Sequence, residues 1–496
     1  MTTMPLLYEQ LADELEQLLA QRVYRPGERL PSLRQLSLQK RLSISTVMHA
    51  MRLLEDRGLV EARPQAGFYV RHRPRSLTPV APWHHVAKPA YVGISNSLMQ
   101  VLDAHEQYGR VGLGSALPPP EMLPSAKVRR TLATVARRSP GLLANARYFE
   151  INEPGLLRQI LRRASAWGRL DADEIVVTAS CTEAISLCLR AVTKPGDTVA
   201  VESATYFVLL QLLESLGLKA LEIPMDHRTG PSLDALELSM REGLCQACLF
   251  VPNVNNPIGS IMPDHHKQRL AELAAHYDIP LIEDDIYGDL CFTAVRPRPV
   301  KAWDTAGNVL CCSSYSKTIS PALRVGYVAA GKYTERVKFL KTVSSGVSSH
   351  LPQAVVADFL AGSGYDKQLR LMRRLLSQRL AQMAEAIASS FPEGCHVSEP
   401  GGGFVLWVRL PDGVDALPLH AAAIAEGIAF MPGSLFSASG RLRDHIRINC
   451  ANAWTQAIAD GVCRLGRLVE DAAGSAFRTD RGAGSPKESP AVARSA

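Results

Sequence analysis

From Glu174 to Gly331 the chain repeats one pattern. Short apolar runs (EIVVTAS, TVAVES, CLFVPN, IPLIEDD, VLCCSS and RVGYVAAG) end in small, acidic or hydroxyl residues, and amphipathic stretches such as CTEAISLCLRAV and HHKQRLAELAAHY lie between them. A run that is apolar at nearly every position is a strand covered on both faces, whereas apolar residues spaced three and four apart mark one face of a helix. Their alternation predicts an α/β domain with a mainly parallel sheet.

The first seventy residues follow another period. Leu11, Leu15, Leu18 and Leu19 share one face of a helix that ends near Arg22. A second, short helix begins at PSLRQLS, where Pro31 suits a helix start. A third begins at Ser43, whose hydroxyl can cap SISTVMHAMRLLEDRG before Gly58 stops it. LVEARP and GFYVR then flank a turn at Gln65, Ala66 and Gly67, which predicts a small β-hairpin. Three helices and a hairpin make a winged helix-turn-helix. The plainer alternative is a dimerisation module, and charge position argues against it. Residues 1–73 carry eleven lysines and arginines against eight acids, a net of +3, with five of the acids at or before Glu28. Arg34, Lys40, Arg41, Arg63, Arg71 and Arg73 gather instead around the second and third helices and the wing.

A chain of 496 residues exceeds one domain. Pro74, Pro79, Pro82 and Pro89 mark a linker, placed at 74–105, and the small, polar end GSAFRTDRGAGSPKESPAVARSA predicts a disordered tail over 471–496. The α/β domain is expected over 106–470. The net charge of +7 suits a nucleic-acid partner and is equally ordinary for a soluble enzyme. Acids in the first turns, no signal pattern and no run of eighteen apolar residues predict a cytoplasmic protein without membrane contact. Of ten cysteines only Cys245 and Cys248 form a CxxC, and the second lies in an apolar run, so reduced thiols are expected and no metal.

Lys317 lies between the last two apolar runs, in SSYSK. A lysine that forms a Schiff base with pyridoxal phosphate needs an acid for the ring nitrogen, donors for the ring oxygen, a flat contact for the ring and an anion site for the phosphate. Each occurs in order. Ser180, Cys181 and Thr182 stand at a strand-to-helix junction, where free amides and the helix dipole bind anions. Tyr206 can stack, and the Asn256 amide can donate to the ring oxygen. Asp284 and the phenol of Tyr287 follow at a strand end; Ser314, Ser316 and Arg324 surround Lys317 with phosphate donors. Taken singly, each has a plainer reading: a capped helix, a core aromatic, an Asn-Pro turn, a surface lysine.

RPGERLPSLRQLS, SISTV and LLEDRGLVEARPQAGFYV resemble the GntR family of winged-helix repressors over nearly all of residues 8–71. The resemblance implies that Arg34 touches the phosphate backbone of double-stranded operator DNA. It also implies that Ser43, Ser45 and Thr46 open the recognition helix at the major groove, and that Gly67 lets the wing approach the minor groove. Ile44 departs from the arginine common beside the first of those hydroxyls. The series from Ser180 to Arg324 resembles fold-type I aminotransferases over about residues 106–470. That resemblance implies large and small domains and an internal aldimine between Lys317 and pyridoxal 5'-phosphate. It makes Arg447 the clamp for a substrate carboxylate and Tyr148 a phosphate contact to the neighbouring subunit of a homodimer. Ser180 stands where glycine is common. A GntR-type head on such a body resembles the MocR subfamily of regulators, which implies a transcription regulator responding to an amino compound. Two alternatives stay open: a working aminotransferase that carries a head, and a sensor of the cofactor itself.

Overall fold

The computed structural model describes residues 6–20, 23–24, 28–57, 59–63, 67–70, 88–108, 110–144 and 150–482. The chain divides into two units, one of Met1–Ser76 with Glu385–Ser390 and one of the remaining residues. The head holds α1 (Leu7–Ala20), α2 (Leu33–Lys40), α3 (Ile44–Asp56), β1 (Val60–Arg63) and β2 (Gly67–Val70). The two strands pair antiparallel, with Val60 opposite Val70. Leu11, Leu15, Leu36, Val47, Leu54 and Val60 meet in one buried cluster, which is the period of the sequence folded inward. Ser32, not Pro31, starts α2. Its hydroxyl accepts from the Gln35 amide at 3.3 Å, and the Gln35 side chain accepts from the Ser32 amide at 2.9 Å, a reciprocal cap that satisfies two orphan donors.

The body is built on an eight-stranded sheet. In order across the sheet, the strands are Ala90–Tyr91, Lys219–Ile223, Thr198–Glu202, Ala247–Phe250, Leu281–Asp284, Val309–Ser314, Gly326–Ala329 and Ile175–Thr178. The outermost strand Ala90–Tyr91 and the strand Gly326–Ala329 run antiparallel to their neighbours; the others are parallel. Apolar clusters cover both faces, one of them packing the helix Cys181–Val192. A smaller antiparallel sheet follows, in the order His396–Val397, Val405–Arg409, His445–Asn449 and Met431–Pro432. The winged head and the large and small aminotransferase-like domains are as expected.

Two segments differ from expectation. Residues 90–105, assigned to the linker, belong to the body: Ala90–Tyr91 pairs at the sheet edge, and Val92 and Ile94 are buried in one cluster with Leu98 and Val101 of the helix Ser95–Tyr108. The proline signal ends at Pro89, and apolar periodicity resumes at once. The tail was expected from residue 471, yet the last helix spans Gln456–Gly482. Val462, Leu465 and Val469 form one buried stripe that reaches Ala473, two residues past that point.

Candidate functional site

Five loops leave the C-terminal ends of the parallel strands at one rim of the sheet, where α/β folds bind ligands. They carry Cys181 and Thr182, Tyr206, Asn256, Asp284 with Tyr287, and Lys317; these seven residues line one cavity together with Ile185, Leu209, Val251 and Ile286. The sequence separates the first and last of them by well over a hundred residues.

Asp284 is buried. Burial pushes its carboxyl up to about 6, opposed by the Cys181 thiol, which donates at 3.3 Å, and by the Ile286 amide at 3.1 Å. Burial also pulls Lys317 down to about 8, and the Arg447 cation adds to that, while Asp284 opposes it. The Lys317 amine donates to the Ala116 carbonyl at 2.5 Å. At pH 7 roughly a tenth of such lysines carry a neutral, nucleophilic amine, against about three in ten thousand at the ordinary value.

Asn256 is fixed from one side. The buried Arg447 guanidinium donates to its Oδ1 at 3.2 Å and to the Gly114 carbonyl, which turns the amide Nδ2 away; within 3.5 Å that buried donor has no hydrogen-bond partner among the described residues, and neither has Nε of Arg447. An unpaired buried amide donor costs about 1–3 kcal/mol, so the cavity favours an acceptor there. Two residues earlier, Val254 holds φ of 58°, a region costly for a β-branched side chain, which is strain stored beside the site.

At the helix N-terminus the Ser180 hydroxyl accepts from the Glu183 amide at 3.0 Å, so the helix itself leaves the amides of Cys181 and Thr182 for an anion. Gly326 makes the turn possible, because a Cβ there would meet the Ser180 carbonyl carbon at 2.6 Å. Ser314 and Ser316 are buried, with the Ser316 amide donating to the Ser314 hydroxyl at 3.3 Å. Neither lines this cavity, nor do Ser180, Arg324 and Arg447. Arg324 is exposed, with φ of 53°. Tyr148 lies outside the described residues. Sequence reasoning missed the Cys181 thiol on Asp284 and the carbonyls of Gly114 and Ala116. The segment LGSALP has no period to announce it.

In the head, Arg34, Ser43 and Ser45 are exposed and Thr46 half-buried. Ser43 caps α3 by accepting from the Thr46 amide at 3.1 Å, and its hydroxyl lies 2.8 Å from those of Ser45 and Thr46. Ile44, half exposed, stands first in the helix. Gly67 holds φ of 102° at the wing, beside the Arg29 side chain. Lys40 is ion-paired to Glu14 and so offers DNA less charge than expected. Arg57 is likewise paired, to Asp13 and Glu16. Arg71 and Arg73 lie outside the described residues.

Residues 7–70 match the gntR family of bacterial regulatory proteins, and residues 133–465 match aminotransferase class I and II. Two relatives in Escherichia coli K12, the uncharacterized HTH-type transcriptional regulators YdcR and YjiR, are each 36% identical. The matches cover 94% and 93% of this chain and 99% and 98% of theirs. The crystal structure of Pyrococcus horikoshii kynurenine aminotransferase is 26% identical with a TM-score of 0.70, over 76% of this chain and 94% of that one. With a winged head of the one family joined to a body of the other along its whole length, the chain belongs to the MocR subfamily of gntR-type regulators.

Proposed function

We propose that the chain is a pyridoxal-phosphate-dependent transcription regulator that binds operator DNA through its head as a cytoplasmic homodimer and takes an amino compound at Lys317. The observation that carries the reading is the convergence of Lys317, Asp284 and Asn256 in one cavity, with the Asn256 Nδ2 donor buried and without a partner among the described residues. Aminotransferases of this family generally use pyridoxal phosphate, and the residues fit it. Asn256 and Tyr287 suit the ring oxygen, Asp284 the ring nitrogen, Tyr206 the ring face, and the amides of Cys181 and Thr182 the phosphate. Ser180, Ser314, Ser316 and Arg324 would add phosphate contacts from the surrounding turns, and Tyr148 would reach into the site of a second copy.

The cofactor supplies an electron sink when bound. Lys317 would carry it covalently and, once displaced by an amino compound, take and return a proton at Nζ. Asp284 keeps a negative charge beside the ring nitrogen. Arg447 would exchange its contacts to Asn256 and Gly114 for a carboxylate. That exchange changes the charge and hydrogen bonding of the site, and an arrangement of the dimer that binds the amino compound better is thereby populated.

The lowered Lys317 also favours a second reading, a working aminotransferase, because a base near neutrality suits proton transfer. One experiment separates them. DNA fragments selected for binding to the full chain are titrated with cofactor and then with amino acids, while DNA release and keto-acid formation are followed together. Release without turnover supports the regulator; turnover at enzymatic rates with unchanged DNA binding supports the enzyme.

A further inference from the structure

The turn that carries Lys317 separates two cavities. Adjacent residues divide between them: Asp284 and Lys317 line the cavity described above, Asp285 and Thr318 line a second one of about 320 Å³, and Ile286 lines both. The second cavity also holds four arginines, Arg163, Arg296, Arg370 and Arg373, with the carboxylates of Asp289 and Asp366.

Those carboxylates are matched. Asp285 accepts from Asn253 at 2.9 Å and is ion-paired to Arg296. Asp289 accepts from Arg296 Nε at 2.8 Å and from the Tyr365 hydroxyl at 2.9 Å, and Asp366 accepts from Arg163 at 3.1 Å. Several donors are not matched among the described residues. Among the described residues Arg373 spends only its Nε, on the Asp289 carbonyl at 2.8 Å. Arg370 is exposed, and none of its nitrogens bonds or ion-pairs with a described residue. Tyr315 is 7% exposed and lines the cavity, yet its hydroxyl has no partner among the described residues. A cavity within the size range of ligand sites, with donors unmatched and acceptors satisfied, selects an acceptor; guanidinium pairs suit oxyanions in particular.

We propose that this cavity is a second small-molecule site, back to back with that of Lys317, which takes an anion bearing two or more negative oxygens, a carboxylate or a phosphate. Arg370 and Arg373 hold its charge at the mouth, and the Tyr315 hydroxyl donates to it from within. The site uses none of the groups assigned above to the cofactor except Ser314 at its edge.

The test is titration calorimetry on the full chain after pyridoxal phosphate has been reduced onto Lys317 with borohydride, which closes the first cavity to added anions. The same titrations run on the cofactor-free Lys317→Ala chain, so a failure of cofactor attachment leaves this measurement intact. Inorganic phosphate is the probe in one arm and succinate in the other, and the arm that binds more tightly names the ligand chemistry. One saturable site per chain is expected on the reduced chain; the Lys317→Ala chain, whose first cavity stays open, should keep a site that the arginine substitutions weaken. Arg370→Gln/Arg373→Gln weakens it by about tenfold or more and Tyr315→Phe by roughly ten- to a hundredfold, the range for a hydrogen bond to a charged partner. Arg370→Glu, which alters only an exposed side chain, weakens it too and guards against a misfolded double variant. The inference is overturned by the absence of saturable binding in both arms, or by folded arginine variants that bind as the unaltered chain does.

Discussion

In the head, Arg34, Ser43 and Ser45 stand in water above a small apolar core; in the body, Asp284, Lys317 and Arg447 are each less than a tenth exposed. An exposed charge keeps its hydration and adds little to the fold, so what it offers a partner is screened by salt. A buried charge has lost its water. Asp284 therefore rises to about 6 and Lys317 falls to about 8, and the fold carries that cost in exchange for reactive groups. Substitutions at the two places should consequently differ in kind. In the body they remove chemistry and relieve the fold, whereas in the head they weaken a contact and leave the fold alone.

The largest effect is all or none. Lys317→Ala should abolish covalent attachment of pyridoxal phosphate, read as loss of the visible absorbance band and of borohydride trapping, with the circular dichroism spectrum retained. A band of unaltered size in the variant would move the attachment to another lysine and undo the assignment of the cavity.

Next comes Asp284, whose folded pKa of about 6 lies above the roughly 3.9 of an unfolded aspartate. Between those values the native chain holds a proton that the unfolded chain has released, so stability falls as pH rises from 4 to 6 and the full cost stands above 6. Two units correspond to about 3 kcal/mol. Without cofactor, Asp284→Asn should therefore unfold at higher urea than the unaltered chain at pH 8, by about that free energy, and at nearly the same urea at pH 4. Equal midpoints at pH 8 would mean that the site is not strained and that the contrast between the units fails.

The contrast also accounts for what the sequence disclosed. Strands buried on both faces announce themselves as apolar runs, so VLCCSS and IPLIEDD were legible; the strand Lys219–Ile223 hid because Lys219 and Glu222 interrupt it. Lys317, Asp284 and Asn256 were legible because each ends or follows such a run among polar residues. The Cys181 thiol was not, since a cysteine in a helix start reads as packing until Asp284 is seen 3.3 Å away. Gly114 and Ala116 act through their carbonyls, and a main-chain acceptor leaves no mark in side-chain chemistry. In the head the cap at Ser43 was legible from type and place alone, because capping is local.

That local cap sets the third effect. Ser43→Ala removes the acceptor for the Thr46 amide and should lower the urea stability of the head by about 1 kcal/mol. That loss falls on the fold, so Ser43 behaves in part as residues of the body do. Ser45→Ala should leave stability unchanged, and a stability loss equal to that of Ser43→Ala would place the cap elsewhere.

Arg34→Ala is the smallest effect and the cleanest separation of the two units. Arg34 is exposed on α2 and forms no ion pair with a described residue, so its removal should change stability by less than about 0.5 kcal/mol. A guanidinium that touches one phosphate displaces about one condensed cation, so the slope of log affinity against log salt should flatten by about 0.9, equally on selected and random DNA. Affinity for random DNA falling in step with affinity for selected DNA is the mark of a backbone contact. If only the selected DNA weakens, Arg34 reads a base edge and α2, not α3, enters the groove. Cofactor absorbance in the Arg34→Ala chain should match that of the unaltered chain at every salt concentration, because nothing at the Lys317 cavity depends on this charge.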